Sequence, residues 1–344
     1  MTTNTVLILG ARGRFGLAAA RAFAAAGWRV LGHIRPTGLA PTPVALGWPG
    51  GDVPAMEWLS IDLDDTAALA RAAQGATVVV HALNPAYTNA AWQSQGPAMM
   101  DAAIALCRAL GATLMLPGNI YNFGAAMPPV LREDTPQIAH TVKGQVRIAV
   151  EAQLQASGVR GIVIRAGDFF GSGQGTWFDL AIAKDLRKGV LTYHGPRGVS
   201  TSWAYLPDLA RTFVAVAERR AQLQPFEVFH FAGHVITGQR WLDLLDPIAR
   251  QQGWVRPNGQ LRWKGMPWGV IRLGAWFVPT WASLWEMRYL WTTPHALAND
   301  RLCALIGTEP HTPLAQAAQQ SLADLGLLGA HHAPAALALA PSTR

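Results

Sequence analysis

The chain has 344 residues, of which 50% are hydrophobic and 14% are charged, so its composition excludes an intrinsically disordered protein and allows a large buried core. The net charge of +7 is scattered without a run of Lys and Arg, and we therefore expect no nucleic-acid partner. The two cysteines, Cys107 and Cys303, provide neither a disulfide framework nor the spacing of a zinc site, which favours a reducing compartment.

The N-terminal segment contains the first predicted strand, an apolar run from Val6 to Leu9. A signal peptide would begin with basic residues and end at a cleavage site, and this segment has neither. We therefore expect a cytoplasmic protein.

The first half of the chain alternates between strand-like and helix-like segments. The predicted strands are 6–9, 29–34, 57–61, 77–82, 112–116 and 161–165, and the predicted helices are 15–26, 64–74, 98–110 and 143–156. Continuous Val/Ile runs separated by helices indicate parallel strands that are covered on both faces. The pattern predicts an α/β protein with a Rossmann-type, doubly wound parallel sheet.

The second half follows a different pattern, with one late strand at 226–231 and mainly helical segments that are rich in tryptophan. We expect residues 1–170 and 200–232 to form the dinucleotide-binding domain. Residues 171–199 and 233–329 are expected to form a smaller, mainly helical substrate domain, called the cap below. Residues 330–344 have turn residues and no periodicity, which predicts a flexible tail.

A glycine motif lies directly after the first strand and directly before the first helix. It contains Gly10, Gly13 and Gly16, and the residues between them include Arg12, Arg14 and Phe15. Glycines at these positions allow a tight turn and a close approach of the backbone to a pyrophosphate, which the N-terminus of the helix then binds. The motif predicts a dinucleotide site.

The GxxGxxG spacing resembles that of the extended and atypical short-chain dehydrogenase/reductase proteins, including their NAD-dependent epimerase/dehydratase-like branch. The resemblance extends over about residues 5–232, through the segments Asp62-Leu63, His81-Ala82-Leu83, Glu133 to Pro136, Arg165 to Gly171, and Trp203 to Asp208. It implies that Asp62 and Leu63 lie beside the adenine, and that Ala82 and Leu83 lie beside the pyrophosphate.

The residues at the end of the second strand bear on the choice of cofactor. A site for NAD commonly has an acidic residue there, whereas this chain has His33 and Arg35, and no acidic residue before Asp52. A 2′-phosphate is well bound by guanidinium groups, and Arg12 and Arg14 add two more in the glycine motif. The sequence therefore favours NADP(H) over NAD(H). The alternative is that Arg14 and Arg35 are only solvated loop residues.

The catalytic residues of the family are only partly matched. The resemblance implies a Tyr four residues before a Lys, together with a Ser or Thr from the fifth strand. The Lys candidate is Lys143, expected near the nicotinamide ribose, but Ala139 occupies the Tyr position and Asn119 occupies the Ser position. Tyr121, in the same loop as Asn119, is our first choice for the missing phenol. The alternatives are His140, beside the vacant Tyr position, and Asp168, in the segment that passes the nicotinamide.

The tryptophan-rich segment from Trp263 to Trp291 is interrupted by Arg272, Glu286 and Pro279, so it lacks an apolar run long enough to span a membrane. An interfacial helix is an alternative, but we do not expect a membrane-surface partner. We expect aromatic walls over the nicotinamide that bind a small-molecule substrate. A homodimer is compatible with the sequence.

The predicted function is that of an NADP(H)-dependent oxidoreductase, acting on a small apolar or aromatic carbonyl or alcohol. Two alternatives remain. One is an NADP(H)-binding regulator or scaffold that has lost catalysis, like the NmrA-like relatives of this family, and it is favoured by the absence of the Tyr before Lys143. The other is an epimerase or dehydratase. Retention of Lys143 with Asn119, Tyr121 and Asp168 favours an enzyme.

Overall fold

A computed structural model describes residues 4–36 and 56–328 of the chain. Its strands are β1 (Thr5–Leu9), β2 (Arg29–Ile34), β3 (Glu57–Ser60), β4 (Val78–His81), β5 (Thr113–Asn119), β6 (Val130–Leu131), β7 (Gly161–Ala166), β8 (Asp168–Phe170), β9 (Val190–Tyr193), β10 (Ser200–Tyr205), β11 (Phe226–His230), β12 (His234–Thr237), β13 (Arg262–Gly265) and β14 (Ala296–Leu297).

The α-helices are α1 (Arg14–Ala25), α2 (Thr66–Ala72), α3 (Asn89–Leu110), α4 (Val142–Ala156), α5 (Leu206–Glu218), α6 (Gly238–Gln251), α7 (Trp268–Gly274), α8 (Pro279–Met287), α9 (Asp300–Ile306) and α10 (Leu314–Asp324). Short 3-10 turns cover Tyr121–Phe123, Leu186–Lys188, Arg220–Gln222 and Arg288–Trp291, and a π-helical turn covers Phe178–Ile182.

Seven strands form the central sheet in the order β11-β7-β5-β4-β1-β2-β3, and all neighbouring strands are parallel. From β1 the chain proceeds outward to β3, and it then returns to β4 on the other side of β1. This reversal creates a crevice at the carboxyl ends of β1 and β4, which is where ligands bind in doubly wound sheets. The Rossmann-type fold predicted from the sequence is confirmed.

The sheet is buried because its strands carry apolar side chains toward both faces. Val78, Val79 and Val80 of β4 are all inaccessible to solvent, and they belong to different hydrophobic clusters on the two sides. One cluster packs the sheet against α1 and α5, and the other packs it against α2, α3 and α4.

The helix α4 is fixed to the sheet by a buried ion pair. Arg165 of β7 donates a 2.6 Å hydrogen bond from Nη2 to Oε2 of Glu151, and both side chains are almost fully buried. Breaking such a pair leaves an uncompensated buried charge, which typically costs about 3–5 kcal/mol. The pair therefore fixes the rotation of α4 about its axis, and with it the direction of the residues one and two turns earlier.

The cap contains helices, as expected, and its strands take part in three small sheets among the described residues, two of which also include strands of the flanking segments. The strands β8, β10 and β12 form one sheet, β9 pairs with β13, and β6 pairs with β14. The chain crosses from the central sheet into the first of these at Gly167, where a side chain would clash with the backbone of Ser202. This close approach allows β8 to pair with β10 directly after β7 ends.

The boundary between the two regions differs from the sequence prediction in two places. The strand β10, expected in the dinucleotide-binding domain, pairs only with β8 and β12. The helix α9, expected in the cap, packs against the central domain because Leu302 is fully buried in the cluster beneath α1 and α5. The predicted tail, 330–344, lies outside the described residues.

The helix α3 begins nine residues earlier than the predicted start at Ala98. The side chain of Thr88 accepts a hydrogen bond from the backbone N–H of Ala91 and caps the helix there. The helix then continues through Pro97 to Gly111, which adopts the left-handed conformation that ends it. This extension places Tyr87, Asn89 and Trp92 near the crevice.

Candidate active site

The glycine motif forms the turn between β1 and α1. Gly10 has a φ of +79°, and a Cβ atom there would lie 2.9 Å from the carbonyl oxygen of Ala82. A Cβ atom at Gly16 would clash with the carbonyl oxygen of Gly10. Both positions therefore require glycine, one for its backbone conformation and one for close packing of the helix on the turn.

The N-terminus of α1 is open to an anionic ligand. Gly13 caps the helix without a side chain, so the first-turn N–H groups of Arg14, Phe15 and Gly16 have no side-chain partner at that cap. Gly13, Arg14 and Phe15 line a cleft at the carboxyl end of the sheet. The positive end of the helix and the absence of a Cβ atom at Gly13 fit the pyrophosphate of a dinucleotide.

The cleft has a volume of about 490 Å³ and extends from the glycine motif across the ends of β4, β5 and β7. Ala82 and Leu83, predicted beside the pyrophosphate, line it. Its other walls are mostly aromatic and polar, and include Tyr87, Trp92, Asn119, Tyr121, Arg147, Asp168 and Trp177. Within the described ranges, no group of His, Cys, Asp and Glu side chains is arranged to bind a metal ion.

The side chain of Arg14 lines the cleft and contacts the loop that contains Gln174. Its Nη1 donates a 3.1 Å hydrogen bond to the carbonyl oxygen of Gln174, and the absence of a side chain at Gly175 leaves room for the guanidinium. Arg14 therefore connects the glycine motif to the loop that precedes Trp177.

The expected adenosine-binding residues have different surroundings. His33 is buried, its Nε2 lies 2.9 Å from the carbonyl oxygen of Ile61, and burial lowers the pKa of its ring. His33 was expected to help bind a 2′-phosphate. Its imidazole is instead buried and contacts the backbone after β3, so it does not provide a cation for that phosphate. Arg12 and Arg35 are exposed, Arg35 directly after β2.

Two further residues were expected beside the adenine. Asp62 is exposed after β3, and its Oδ1 accepts a 3.1 Å hydrogen bond from the backbone N–H of Asp64. Leu63 is partly buried against the hydrophobic cluster below it. The two residues form a turn at the carboxyl end of β3, on the same edge of the sheet as Arg35.

The loop after β5 brings two of the predicted catalytic residues into the cleft. The side-chain oxygen of Asn119 accepts a 3.0 Å hydrogen bond from the backbone N–H of Tyr121, which leaves the amide NH₂ of Asn119 as the group that can donate to a ligand. Burial raises the pKa of the Tyr121 hydroxyl, the Asp168 carboxylate raises it further, and Arg147 acts in the opposite direction.

Lys143 lies outside the cleft lining, although the sequence predicted it at the nicotinamide ribose. Its side chain is fully buried, with Nζ 4.5 Å from the centre of the Tyr87 ring and 2.7 Å from Oδ1 of Asn89. Burial lowers the pKa of Lys143 to about 8, against the opposing effect of Glu286. The ring of Tyr87 therefore lies between the Lys143 ammonium group and the cleft.

The environment of Lys143 is a polar network that joins three helices. Asn89 of α3 donates a 2.7 Å hydrogen bond to Glu286 of α8, whose other oxygen accepts one of 2.7 Å from the backbone N–H of Val142. The hydroxyl of Ser283 donates to the same Asn89 oxygen at 3.0 Å. Lys143 therefore supports the contact between the central domain and the cap through Asn89, which is hydrogen-bonded to Lys143 and to both cap residues.

Arg147, one helical turn after Lys143, is a second cation that lines the cleft beside Arg14, and it was not predicted from the sequence. It shares one face of α4 with Lys143 and with Glu151, whose ion pair fixes that face. Its Nη2 donates a 3.2 Å hydrogen bond to the side chain of Asn84, while its buried Nε has no partner among the described residues. The four-residue spacing from Lys143 was the signal in the sequence that could have indicated it.

Asp168 provides the only carboxyl group among the residues that line the described cleft. Its Oδ2 accepts a 2.6 Å hydrogen bond from Nε1 of Trp291. Burial raises the pKa of Asp168 to about 6, although the hydrogen bond from Trp291 lowers it. A carboxyl group with such a pKa can both accept and donate a proton near neutral pH.

The other alternative, His140, is placed away from the cleft. It is exposed, its Nδ1 accepts a 3.3 Å hydrogen bond from the backbone N–H of Ala125, and its ring lies 5.0 Å from that of Tyr289. These contacts give it a structural position beside the loop that follows Tyr121.

Among the cap tryptophans around the cleft, one lines it and two others pack behind that one. Trp177 lines the cleft directly, and its ring lies 5.1 Å from that of Trp291. Trp291 is in turn stacked between His194, at 4.6 Å, and Trp268, at 5.9 Å. The segment from Trp263 to Trp291 was expected to form the wall itself, whereas its buried members support that wall from behind.

Comparisons with known proteins agree with this fold. No curated protein matches the sequence. Among solved structures, a candidate epimerase from Burkholderia cenocepacia J2315 is 18% identical with a TM-score of 0.72, over 93% of this chain and 97% of that chain. A UDP-galactose 4-epimerase is 18% identical with a TM-score of 0.67, over 94% and 98% of the two chains. A UDP-glucuronic acid 4-epimerase from Bacillus cereus, solved with NAD, is 14% identical with a TM-score of 0.68, over 93% and 97%.

The family comparison identifies the chain more directly. The family described as RmlD substrate binding domain matches residues 4–256, which include the whole central sheet and the start of the cap. Together with the glycine motif and the doubly wound sheet, the match shows that this chain belongs to the RmlD substrate-binding domain family, within the extended short-chain dehydrogenases/reductases.

Proposed function

We propose that the protein is an NADP(H)-dependent oxidoreductase that interconverts a small apolar or aromatic alcohol and the corresponding carbonyl compound. The observation that carries this proposal is the pair formed by Asp168 and Tyr121, which line one cleft beside an open glycine motif. The structural relatives solved with NAD support a nicotinamide cofactor for this fold.

The acid–base chemistry is assigned to Asp168. A bound nicotinamide dinucleotide supplies the hydride acceptor or donor. In the direction of oxidation, the substrate loses a hydride from carbon and a proton from its hydroxyl group, and the Asp168 carboxylate takes that proton. In the direction of reduction, the protonated Asp168 returns it to the carbonyl oxygen. A pKa of about 6 allows both states to be populated near neutral pH.

Tyr121 is assigned to the substrate oxygen as a hydrogen-bond donor. Its raised pKa keeps the phenol protonated, so it can donate to an oxygen that gains negative charge but is poorly suited to act as a base. The amide NH₂ of Asn119 provides a second donor on the same loop. Two donors that face a developing negative charge resemble an oxyanion hole in their effect.

Arg147 is assigned the position at the nicotinamide ribose that the sequence suggested for Lys143. Its guanidinium lines the cleft, and its buried Nε is available to donate a hydrogen bond to a hydroxyl group of the ribose. A guanidinium remains charged when it is partly buried, unlike an amine with a lowered pKa. This property makes Arg147 better suited than Lys143 to a permanent binding role.

The preference for NADP(H) is assigned to Arg35 and Arg12. Both are exposed near the carboxyl ends of β1 and β2, where a 2′-phosphate would lie, and no acidic residue precedes Asp52 in the chain. A guanidinium binds phosphate through parallel, charge-assisted hydrogen bonds. Arg14 is not assigned to this phosphate, since it already donates to the carbonyl oxygen of Gln174.

The aromatic lining of the cleft supports an apolar or aromatic substrate. Tyr87, Trp92 and Trp177 contribute rings to the walls, and Arg14 and Arg147 are the two cations among the lining residues. A nucleotide-sugar like those named for the structural relatives would bring a diphosphate that needs cations of its own. With Arg14 engaged by Gln174 and Arg147 at the ribose, the described cleft is better matched to a small uncharged molecule.

The test is turnover of the wild type and of two variants on a panel of aromatic and aliphatic alcohols and carbonyls, followed through NADPH absorbance. We expect Asp168→Asn and Tyr121→Phe each to lower kcat by about 10²-fold or more, with NADP+ affinity unchanged by calorimetry. Asp64→Asn, which changes an exposed carboxylate, is the control and should have no effect.

Three results would overturn parts of this assignment. Retained turnover in Asp168→Asn would exclude Asp168 as the acid–base group. Epimerised products without net formation of NADPH would favour an epimerase. Tight binding of NADP+ without turnover on any substrate would favour a regulator that has lost catalysis.

A further inference from the structure

The hairpin formed by α7 and α8 exposes large apolar side chains to solvent. The exposed fractions are 59% for Val270, 72% for Leu273, 86% for Trp276, 85% for Phe277 and 37% for Trp281. These five residues, called the hairpin tip below, include the most exposed aromatic side chains of the described ranges. Scattered apolar residues on a surface are ordinary, but a contiguous aromatic group marks an interaction site.

The hairpin tip is held in place by the opposite side of the hairpin. Ile271 and Met287 are buried, and Nε1 of Trp268 donates a 2.8 Å hydrogen bond to the carbonyl oxygen of His194. Trp281 packs so closely on α7 that a side chain at Gly274 would clash with its ring. The hairpin is therefore anchored on one side to the cap, and its apolar side faces water as part of an ordered structure.

The chain before and within the hairpin has an excess of positive charge. Residues 247–285 contain five Arg and Lys residues and no Asp or Glu. Of the five, Arg250 pairs with Asp246, and Lys264 lies close enough to Asp185 to interact with its carboxylate. The other three, Arg256, Arg262 and Arg272, are exposed. The single carboxylate of the hairpin, Glu286, accepts its hydrogen bonds from Asn89 and Val142.

Although the sequence led us to expect no membrane-surface partner, we propose that the hairpin tip docks on the surface of an anionic lipid bilayer. Tryptophan and phenylalanine partition favourably into the interfacial region of a membrane, and neighbouring cations are attracted to anionic headgroups. A second copy of the chain would bring the same positive charge against itself, which disfavours a symmetric dimer at this surface. The described helices include none long and apolar enough to cross a bilayer, so the contact is confined to the surface.

The docking is independent of the proposed catalytic chemistry, since no residue of the hairpin tip lines the cleft. It therefore gives the protein a second property, which is attachment to a membrane surface through the cap. The aromatic contacts from Trp268 through Trp291 to Trp177 place the inner side of the same hairpin next to the cleft.

The experiment is co-flotation of the full chain with phosphatidylcholine vesicles, with or without about one third phosphatidylglycerol. We expect binding to the anionic vesicles that weakens from about 0.1 M to about 1 M salt, because the screening length falls from about 10 Å to about 3 Å. Trp276→Ser with Phe277→Ser should lower the partition coefficient at least about tenfold, and Trp276→Ser alone should lower it less.

Two further variants separate the apolar and the electrostatic contributions. Arg272→Gln should weaken binding to the anionic vesicles by about fivefold and leave binding to pure phosphatidylcholine unchanged. Val235→Ser, which removes a 53% exposed apolar side chain from β12, is the matched control and should bind like the wild type. Circular dichroism and NADP+ affinity should be the same in all variants, which verifies that they are folded.

The absence of binding to anionic vesicles would overturn the proposal, as would unchanged binding of the double variant. A concentration-dependent dimer that the double variant dissociates, together with no vesicle binding, would instead assign the hairpin tip to a second copy of the chain.

Discussion

The indole Nε1 of Trp291 donates a 2.6 Å hydrogen bond to Oδ2 of Asp168, and through this bond the cap contacts the carboxyl group of the cleft. Trp291 is fully buried, so its position is set by the aromatic residues that surround it. The bond favours the ionised form of Asp168, while burial favours the neutral form, and the balance gives a pKa of about 6.

Removal of this hydrogen bond should raise the pKa of Asp168. In Trp291→Phe the aromatic ring remains but the donor is lost, so the carboxylate is less stable and its pKa should increase by about 1–2 units. For alcohol oxidation, the rising limb of kcat/KM with pH should move upward by that amount. Trp268→Phe, which changes a ring stacked on Trp291 without a contact to Asp168, should leave the limb in place. If the limb does not move in Trp291→Phe, the ionisation of Asp168 does not determine the pH dependence of kcat/KM.

The same carboxyl group should cost stability at neutral pH. Its pKa in the folded protein is raised from 3.8 to about 6, so the stabilisation that it provides below pH 3.8 is lost as the pH rises through about 6. Asp168→Asn cannot ionise and still offers an oxygen to Trp291. Its free energy of unfolding relative to the wild type should therefore increase by about 1–3 kcal/mol between pH 4 and pH 7. Urea unfolding at the two pH values tests this, and an equal difference at both would contradict it.

The phosphate-binding role of the glycine motif can be separated from its structural role. Gly13 has an ordinary φ of −72°, and a Cβ atom there would lie 3.1 Å from the carbonyl oxygen of Gly10. Gly13→Val should therefore fold, yet abolish binding of NADP+ by occupying the space of the pyrophosphate. Gly16→Val should instead destabilise the fold by about 1–3 kcal/mol or more, because its side chain would clash with Gly10. Binding of NADP+ by Gly13→Val at wild-type strength would limit the motif to a structural role.

The choice of cofactor should depend on Arg35. The wild type is expected to bind NADP+ at least about tenfold more tightly than NAD+, and Arg35→Ala should remove about 1–3 kcal/mol of that difference while NAD+ affinity is unchanged. Calorimetry with both cofactors gives the measurement. Arg71→Ala, which changes another exposed arginine in the last turn of α2, away from the carboxyl end of β2, is the control. Equal affinities for the two cofactors in the wild type would contradict the assignment.

The fold could be predicted well because the patterns that indicate it lie in short, continuous segments of the sequence. The Val/Ile runs of the strands and the glycines after β1 each specify their own structure, and the sheet that joins them follows from the alternation of strands and helices. The position of Asp168 at the cleft could also be suggested, since it lies two residues after the end of β7.

The sequence did not reveal which of the two cations on one face of α4 lines the cleft. Lys143 and Arg147 occupy one face of α4, but Lys143 donates its hydrogen bond to Asn89 of α3, whereas Arg147, one turn later, lines the cleft. The early start of α3 adds Tyr87 between Lys143 and the cleft. Both effects depend on residues far apart in the chain. The burial of His33 against Ile61 is likewise a contact between neighbouring strands.

The most direct test of the proposed cofactor site and of the roles of Asp168 and Tyr121 is a crystal structure of the protein with NADP+ bound. The pyrophosphate should lie on Gly13, and Arg147 should contact the nicotinamide ribose. The Asp168 carboxyl and the Tyr121 hydroxyl should both lie within hydrogen-bond reach, about 2.6–3.2 Å, of a substrate oxygen placed over C4 of the nicotinamide. A complex in which Lys143 or His140 occupies that position, with Asp168 turned away, would contradict these roles.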